Sequence, residues 1–350
     1  PVTMNVTGDP PQITADFTAD ITEGEAPLTV QFTDLSTAEN TTITSWLWDF
    51  GDDSTSTEQS PTHVYETAGV FTVSLTVSDG LVESTETKVD FVTVTVMPRV
   101  IWVSVDGGED GDGSAENPFN TIQGGINDAV DGDTVLVHPG GYTENIDFTG
   151  KAIAVISSSG PDVTIIYGGD MGSVVTFQSG EDQLSLLAGF TITGGNAEQG
   201  GGIYCSGSSP RLEDLAIKGN EADYGGGIYM ANSVSKLTRV LISGNKANQN
   251  GGGLRLDESV PEFLNVTIAA NMGVDGGGVF VSNIFDNSEV TFVNSIIWGN
   301  DNYQLSFVEA NSYSRIHFGY TVVQDGVLGI NNYGGYGHFD EESLHLIASP

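Results

Sequence analysis

Between Leu187 and Asn300, apolar and polar residues alternate in short runs that recur at a fixed spacing. Three of these runs share one template: Leu212–Asn220, Leu237–Asn245 and Phe263–Asn271. Triple glycines start at Gly200, Gly225, Gly251 and Gly276, in steps of 25, 26 and 25 residues. A repeat of this length marks a solenoid. The alternation has the period of half-buried strands, not of a helix. Gly and Asn recur where tight corners demand positive φ. The pattern predicts the coils of a parallel β-helix.

The same alternation assigns sides. After the triple glycines come Ile203-Tyr204-Cys205, Ile228-Tyr229-Met230, Leu254-Arg255-Leu256 and Val279-Phe280-Val281. The first and third residues are apolar and face the coil interior. Tyr204, Tyr229, Arg255 and Phe280 then stack outside, one per rung at about 4.8 Å. This column is either a cross-strand stack that holds the sheet or a flat face for a sugar or protein partner. A second outward column reads Asp214, Arg239, Asn265 and Asn294. Asn196, Asn220, Asn245, Asn271 and Asn300 are expected to form an internal amide ladder bonding backbone groups from rung to rung.

Upstream, Thr29–Phe32, Ser45–Phe50, Val70–Val77 and Phe91–Val96 alternate between turn residues, which predicts a small antiparallel β-sandwich. The chain is thus all-β: a linker over 1–9, a sandwich over 10–97 and a solenoid over 98–350, its clearest repeats at 187–300. Within 116–130, Phe119, Ile122, Ile126 and Ala129 share one helical face, with Pro118 near the first turn. This predicts a short helix that caps the N-terminal end of the solenoid. Past Asn300 the register loosens. Tyr303–Val308, Ile316–Val323 and Leu344–Ile347 are expected to add strands, and 334–337 to form a loop. The chain starts at Pro1 and ends in repeat-like sequence, so a longer parent protein is expected.

Residues also carry resemblances. Trp46-Leu47-Trp48-Asp49-Phe50-Gly51-Asp52, His63-Val64-Tyr65 and the Gly69–Asp79 run resemble a PKD (polycystic kidney disease) domain. That resemblance implies an extracellular module that spaces, adheres or assists polysaccharide binding, without catalysis. The cap-helix segment, with Gly132-Asp133-Thr134-Val135 through Glu144-Asn145-Ile146, resembles right-handed parallel β-helix repeat proteins of the pectate-lyase-like fold. The Gly-Gly-Gly-Ile-Tyr repeats are similar to polymorphic outer-membrane adhesin repeats. Fold follows from this likeness far more than function does.

Charge narrows the partners. Ten basic residues against 47 acidic ones give a net charge of −37, which excludes nucleic acid and anionic membranes as good partners. No run reaches the 18 apolar residues of a membrane span. The composition fits an extracellular or cell-surface protein in a salty or calcium-containing medium. Cys205 is the only cysteine, so no intrachain disulfide exists, and its inward rung position predicts a buried thiol.

Three chemistries remain. Asp106, Asp110, Asp112 and Glu116 alternate with small residues, as a calcium loop needs, or as a solvated acidic loop allows. Asn117 stands where an EF-hand would place its bidentate Glu. The Asp52-Asp53 pair reads as a solvated turn. Polysaccharide lyases and glycoside hydrolases share this fold class, and Arg239 with Asp214, or Arg255 with Asp257, are the catalytic candidates. Each pair reads equally well as a cross-rung ion pair, and the short motifs of pectin hydrolases are absent. Self-assembly is the third possibility, because an uncapped coil edge templates another chain into an oligomer or filament. The reading is a non-catalytic adhesion or structural protein for glycan or matrix, with polysaccharide cleavage as the alternative.

Overall fold

The computed structural model describes residues 9–282, 289–308, 315–324, 330–333, 338–340 and 344–347. The chain divides into two compact units, Pro1–Met97 and Pro98–Pro350. Most of the linker lies outside the described residues, as do Tyr313 and the 334–337 segment.

In the first unit, alternation along Leu28–Asp34 sends Leu28, Val30 and Phe32 inward. They meet Phe17, Trp48, Phe50 and Tyr65 in an aromatic core, with Phe17 edge-on to Trp48 at 5.2 Å. The strands form sheets of five, three and two among the described residues. One pairing departs from the antiparallel expectation: Glu83–Thr95 runs parallel to Glu23–Glu25.

The second unit is a parallel β-helix. Its three long sheets hold ten, nine and eight strands among the described residues, all paired in parallel with the next rung. In one rung, Ile203–Ser206, Arg211–Glu213 and Ala216–Lys218 supply the third, first and second sheets in that order. Glu221–Tyr224 then joins a short flanking sheet with Asn196–Gln199 and Lys246–Asn250. Inward residues stack on their own kind, as in Phe263 on Phe292 at 4.3 Å and 4°. Pairing continues without slippage past Asn300, Leu305 opposite Val279 and Ile316 opposite Val290. The register does not loosen there. The inserted side chains differ while the backbone ladder does not.

Corners explain the glycines. Gly225 has φ 65, and a Cβ on Gly226 would sit 2.3 Å from the Lys246 carbonyl oxygen. No larger residue fits between rungs there. The asparagine ladder runs through Asn220, Asn245, Asn271 and Asn300, each buried. Asn196 is not a rung of it. Gly195 takes the ladder position, its N–H donating to Asn220 Oδ1 at 3.0 Å, and Asn196 is exposed in the flanking sheet. Positive φ falls on the residue before each ladder amide: Gly219, Gly244, Ala270 and Gly299. Ala270, at φ 54, is the one non-glycine of the four. A left-handed alanine costs about 1–2 kcal/mol, partly offset by the chain entropy that glycine adds to the unfolded state. Ala270→Gly is expected to stabilise the solenoid by about 0.5–1 kcal/mol, read as a higher midpoint in urea.

The cap helix α1 spans Ile122–Asp128, shorter than expected. Thr121 is its N-cap and accepts the Gly124 N–H at 3.1 Å, so the chain before it is not helical. Phe119 instead bridges to Val103 and Gly108 in parallel fashion. Ile122, Ile126 and Ala129 remain on the buried face.

Candidate functional site

On the third sheet, Tyr204, Tyr229, Arg255 and Phe280 stand opposite one another in register. The Tyr204 and Tyr229 rings stack at 5.8 Å and 10°. The Arg255 guanidinium lies 5.9 Å from the Tyr229 ring, 5.2 Å from Phe280 and 4.5 Å from Tyr224, within cation–π range of all three. Its Nε donates to both Asp257 oxygens at 3.1 and 3.0 Å, and Nη1 donates to Asn250 Oδ1 at 3.2 Å. Asp257 also accepts the Tyr229 hydroxyl at 2.7 Å and the Ser282 hydroxyl.

This network closes the face that the sequence leaves open. Tyr229 is 7% exposed and Phe280 6%, so neither presents a ring to a ligand. The flanking sheet adds to this by laying Tyr224 and Asn250 against the Arg255 guanidinium. Burial, then the Asp257 carboxylate, pushes the Tyr229 phenol well above its usual range. Tyr204, at the near end of the stack, keeps partial exposure.

Asp214 and Arg239 occupy successive corners between the first and second sheets, with φ 52 and 56. Arg239 holds Asp214 side-on, Nε to Oδ1 at 2.6 Å and Nη2 to Oδ2 at 2.8 Å. Hydrogen bonding from Arg239 holds the Asp214 carboxyl below its usual 3.8, and Asp214 in turn raises Arg239. Beside the pair lies an open cleft of about 410 Å³, reaching to Asp162, Asn265 and Thr267.

Among the described residues no group of three or more His, Cys, Asp or Glu side chains is placed to hold a metal ion. Asp112 serves its own loop by accepting the Ser114 N–H at 2.9 Å, and Asn117 bonds the Asp110 carbonyl. In the first unit Asp52 faces His63 at 2.8 Å and accepts the Ser54 N–H.

Several buried and half-buried polar residues escape a reading by pattern. Glu144 accepts the N–H groups of Ile122 and Gln123 at 2.8 and 2.9 Å, while Lys151 Nζ donates to the carbonyls of Ile126, Asn127 and Ala129. One rung thus supplies an anion to one end of α1 and a cation to the other, matching the helix dipole. Burial pushes the Glu144 carboxyl up despite its two donors. Ser208, Ser233 and Ser259 form a second buried column, at steps of 25 and 26 residues that the sequence does display. Ser233 N–H donates to Ser259 Oγ at 3.0 Å, and Ser208 donates to the buried Glu181 at 2.7 Å. Cys205 faces inward beside them, and burial pushes its thiol up to about 11.

Known proteins match in parts. Residues 8–94 match the family described as PKD domain, and residues 146–321 the family described as right handed beta helix region. Collagenase ColA of Bacillus cereus is 49% identical over 63 residues, which is 17% of this chain and 7% of ColA. A microbial collagenase of Vibrio alginolyticus is 57% identical over 44 residues, 13% of this chain and 5% of the collagenase. This chain therefore spans a small fraction of the length of these relatives. Among solved structures, the PKD1 domain of the Vibrio cholerae metalloprotease PrtV is 34% identical, covering 23% of this chain and 96% of that domain, with a TM-score of 0.21. Pectin methylesterase from carrot is 14% identical, covering 73% of this chain and 90% of the esterase, with a TM-score of 0.46.

Proposed function

Because this chain belongs to the right-handed β-helix family and carries a PKD domain in its first unit, we propose that it is a non-catalytic adhesion or structural module at the cell surface or outside the cell. Its partner is an extracellular glycan or matrix protein. The observation that carries this reading is the state of the two arginine–aspartate pairs. A lyase base must release a proton, yet the Asp214 carboxylate, bonded to Nε and Nη2, favours the charged form of the Arg239 guanidinium. Arg255 is committed to Asp257 and to three aromatic rings.

Incubating the chain with immobilised extracellular polysaccharides and with gelatin tests this directly. Retention on at least one surface, without new reducing ends, unsaturated uronate absorbance or gelatin fragments, is the expected result. Product accumulation that scales with protein concentration overturns it.

A further inference from the structure

We propose that the cleft beside the Asp214–Arg239 corner is a binding site for a neutral sugar ring of a glycan, walled by Asp162, Arg239 and Asn265 and floored by Ala216, Leu241 and Thr267. The assignment rests on the surface-binding reading above and places its contact on the second sheet, away from the closed aromatic column. At about 410 Å³ the cleft falls in the size range of small-molecule sites.

Beside the Asp214–Arg239 pair, the cleft holds polar groups without a protein partner among the described residues. Elsewhere on the solenoid two exposed lysines are matched across rungs, Lys246 with Glu221 and Lys236 with Glu262. In the cleft, by contrast, the Asp162 carboxylate, the Asn265 amide, the Thr267 hydroxyl and Arg239 Nη1 have no protein hydrogen-bond partner among the described residues. Carboxylate, amide and guanidinium together offer acceptors and planar donors, which suits hydroxyls that both donate and accept. The half-exposed Ala216 and the exposed Leu241 supply the apolar floor for the C–H face of a ring.

Charge selects against an acidic sugar. Asp162 and Asp214 outnumber Arg239 in the cleft, on a chain whose net charge is −37, so a uronate or sulfate is repelled. Position favours binding at little ordering cost. Arg239 and Asn265 sit at left-handed corners with φ 56, and their N–H groups donate to the carbonyls of Leu264 and Val293 at 3.0 Å. The walls are therefore held by the rung ladder before a ligand arrives.

The test titrates the full chain by NMR and calorimetry with neutral oligosaccharides (gluco-, manno-, galacto- and xylo-series) and with oligouronates, alongside matrix-protein binding. Asp162→Ala and Asn265→Gly are the variants, glycine being chosen because position 265 is left-handed. Neither side chain has a partner among the described residues, so unchanged thermal unfolding is expected for Asp162→Ala, and Tyr204→Ala serves as the control on the third sheet. At least tenfold weaker binding of one neutral series in both cleft variants, with Tyr204→Ala unaffected, is the expected result. Neutral glycans bound equally well by the cleft variants overturn this site while the surface-binding reading stands. Binding of only oligouronates or matrix protein overturns it in the same way. Failure to bind any of these ligands overturns both.

Discussion

Asn245→Ala lowers the stability of the solenoid by about 4 kcal/mol, as the sum of several buried groups left without partners. The amide is fully buried and bonds in four directions. Its oxygen accepts the Asn220 N–H at 3.1 Å and Asn220 Nδ2 at 3.0 Å, and its nitrogen donates to the Ile217 carbonyl at 2.9 Å and to Asn271 Oδ1 at 3.0 Å. Removing one rung therefore takes the acceptor from two Asn220 donors and the amide donor from the Ile217 carbonyl, while Asn271 Oδ1 keeps only the backbone N–H of residue 245. Asn196→Ala, at the exposed position outside the ladder, is expected to change stability by less than about 0.5 kcal/mol. Urea unfolding of the two variants checks this contrast. Equal losses would show that the ladder is not the source of the effect.

Asp133→Ala destabilises the capped end by about 3 kcal/mol, because the backbone N–H groups of Arg99 and Val130 and the Arg99 guanidinium lose the carboxylate that accepts them. The Asp133 side chain is fully buried. It accepts the N–H groups of Arg99 and Val130 at 2.8 and 3.0 Å and the Arg99 guanidinium at 2.8 Å. Burial pushes this carboxyl up, but the two N–H groups and the guanidinium together outweigh it and hold the group below its usual 3.8. The stabilisation is therefore fully present above 3.8 and is lost as pH falls through the lower folded value. Acid unfolding of the wild type should steepen in that window, and Asp133→Asn should flatten the curve there. Glu144 acts in the opposite sense, since its raised value lowers stability as pH rises through it. It is common to both proteins and cancels in the difference. An unchanged acid limb in Asp133→Asn would refute the role given to this carboxylate.

The repeat was legible because a solenoid writes its three-dimensional period into the chain. Ladder amides at 220, 245 and 271, inward Cys205 and the in-register column from Tyr204 to Phe280 all follow from alternation and spacing. Asn196 misled by a single residue. The corner there needs no side chain at Gly195, where a Cβ would lie 1.7 Å from the Gly201 carbonyl oxygen. The helix start was misjudged for a local reason as well, since Thr121 competes with Pro118 as the N-terminal signal and its hydroxyl makes the capping bond.

The amino-acid sequence by itself determined the fold class, the rung length and which side chains face inward, since a period of two and a step of about 25 residues admit one packing. Tertiary structure alone decided which outward side chains stay open. Tyr229 and Phe280 are covered in a column whose Arg255 also meets Tyr224 and Asn250 of the flanking sheet, while Asp162, Asn265 and Thr267 meet at one cleft from rungs far apart in the chain. Periodicity fixes direction relative to the coil, whereas cover and convergence depend on neighbours that only the wound chain brings together.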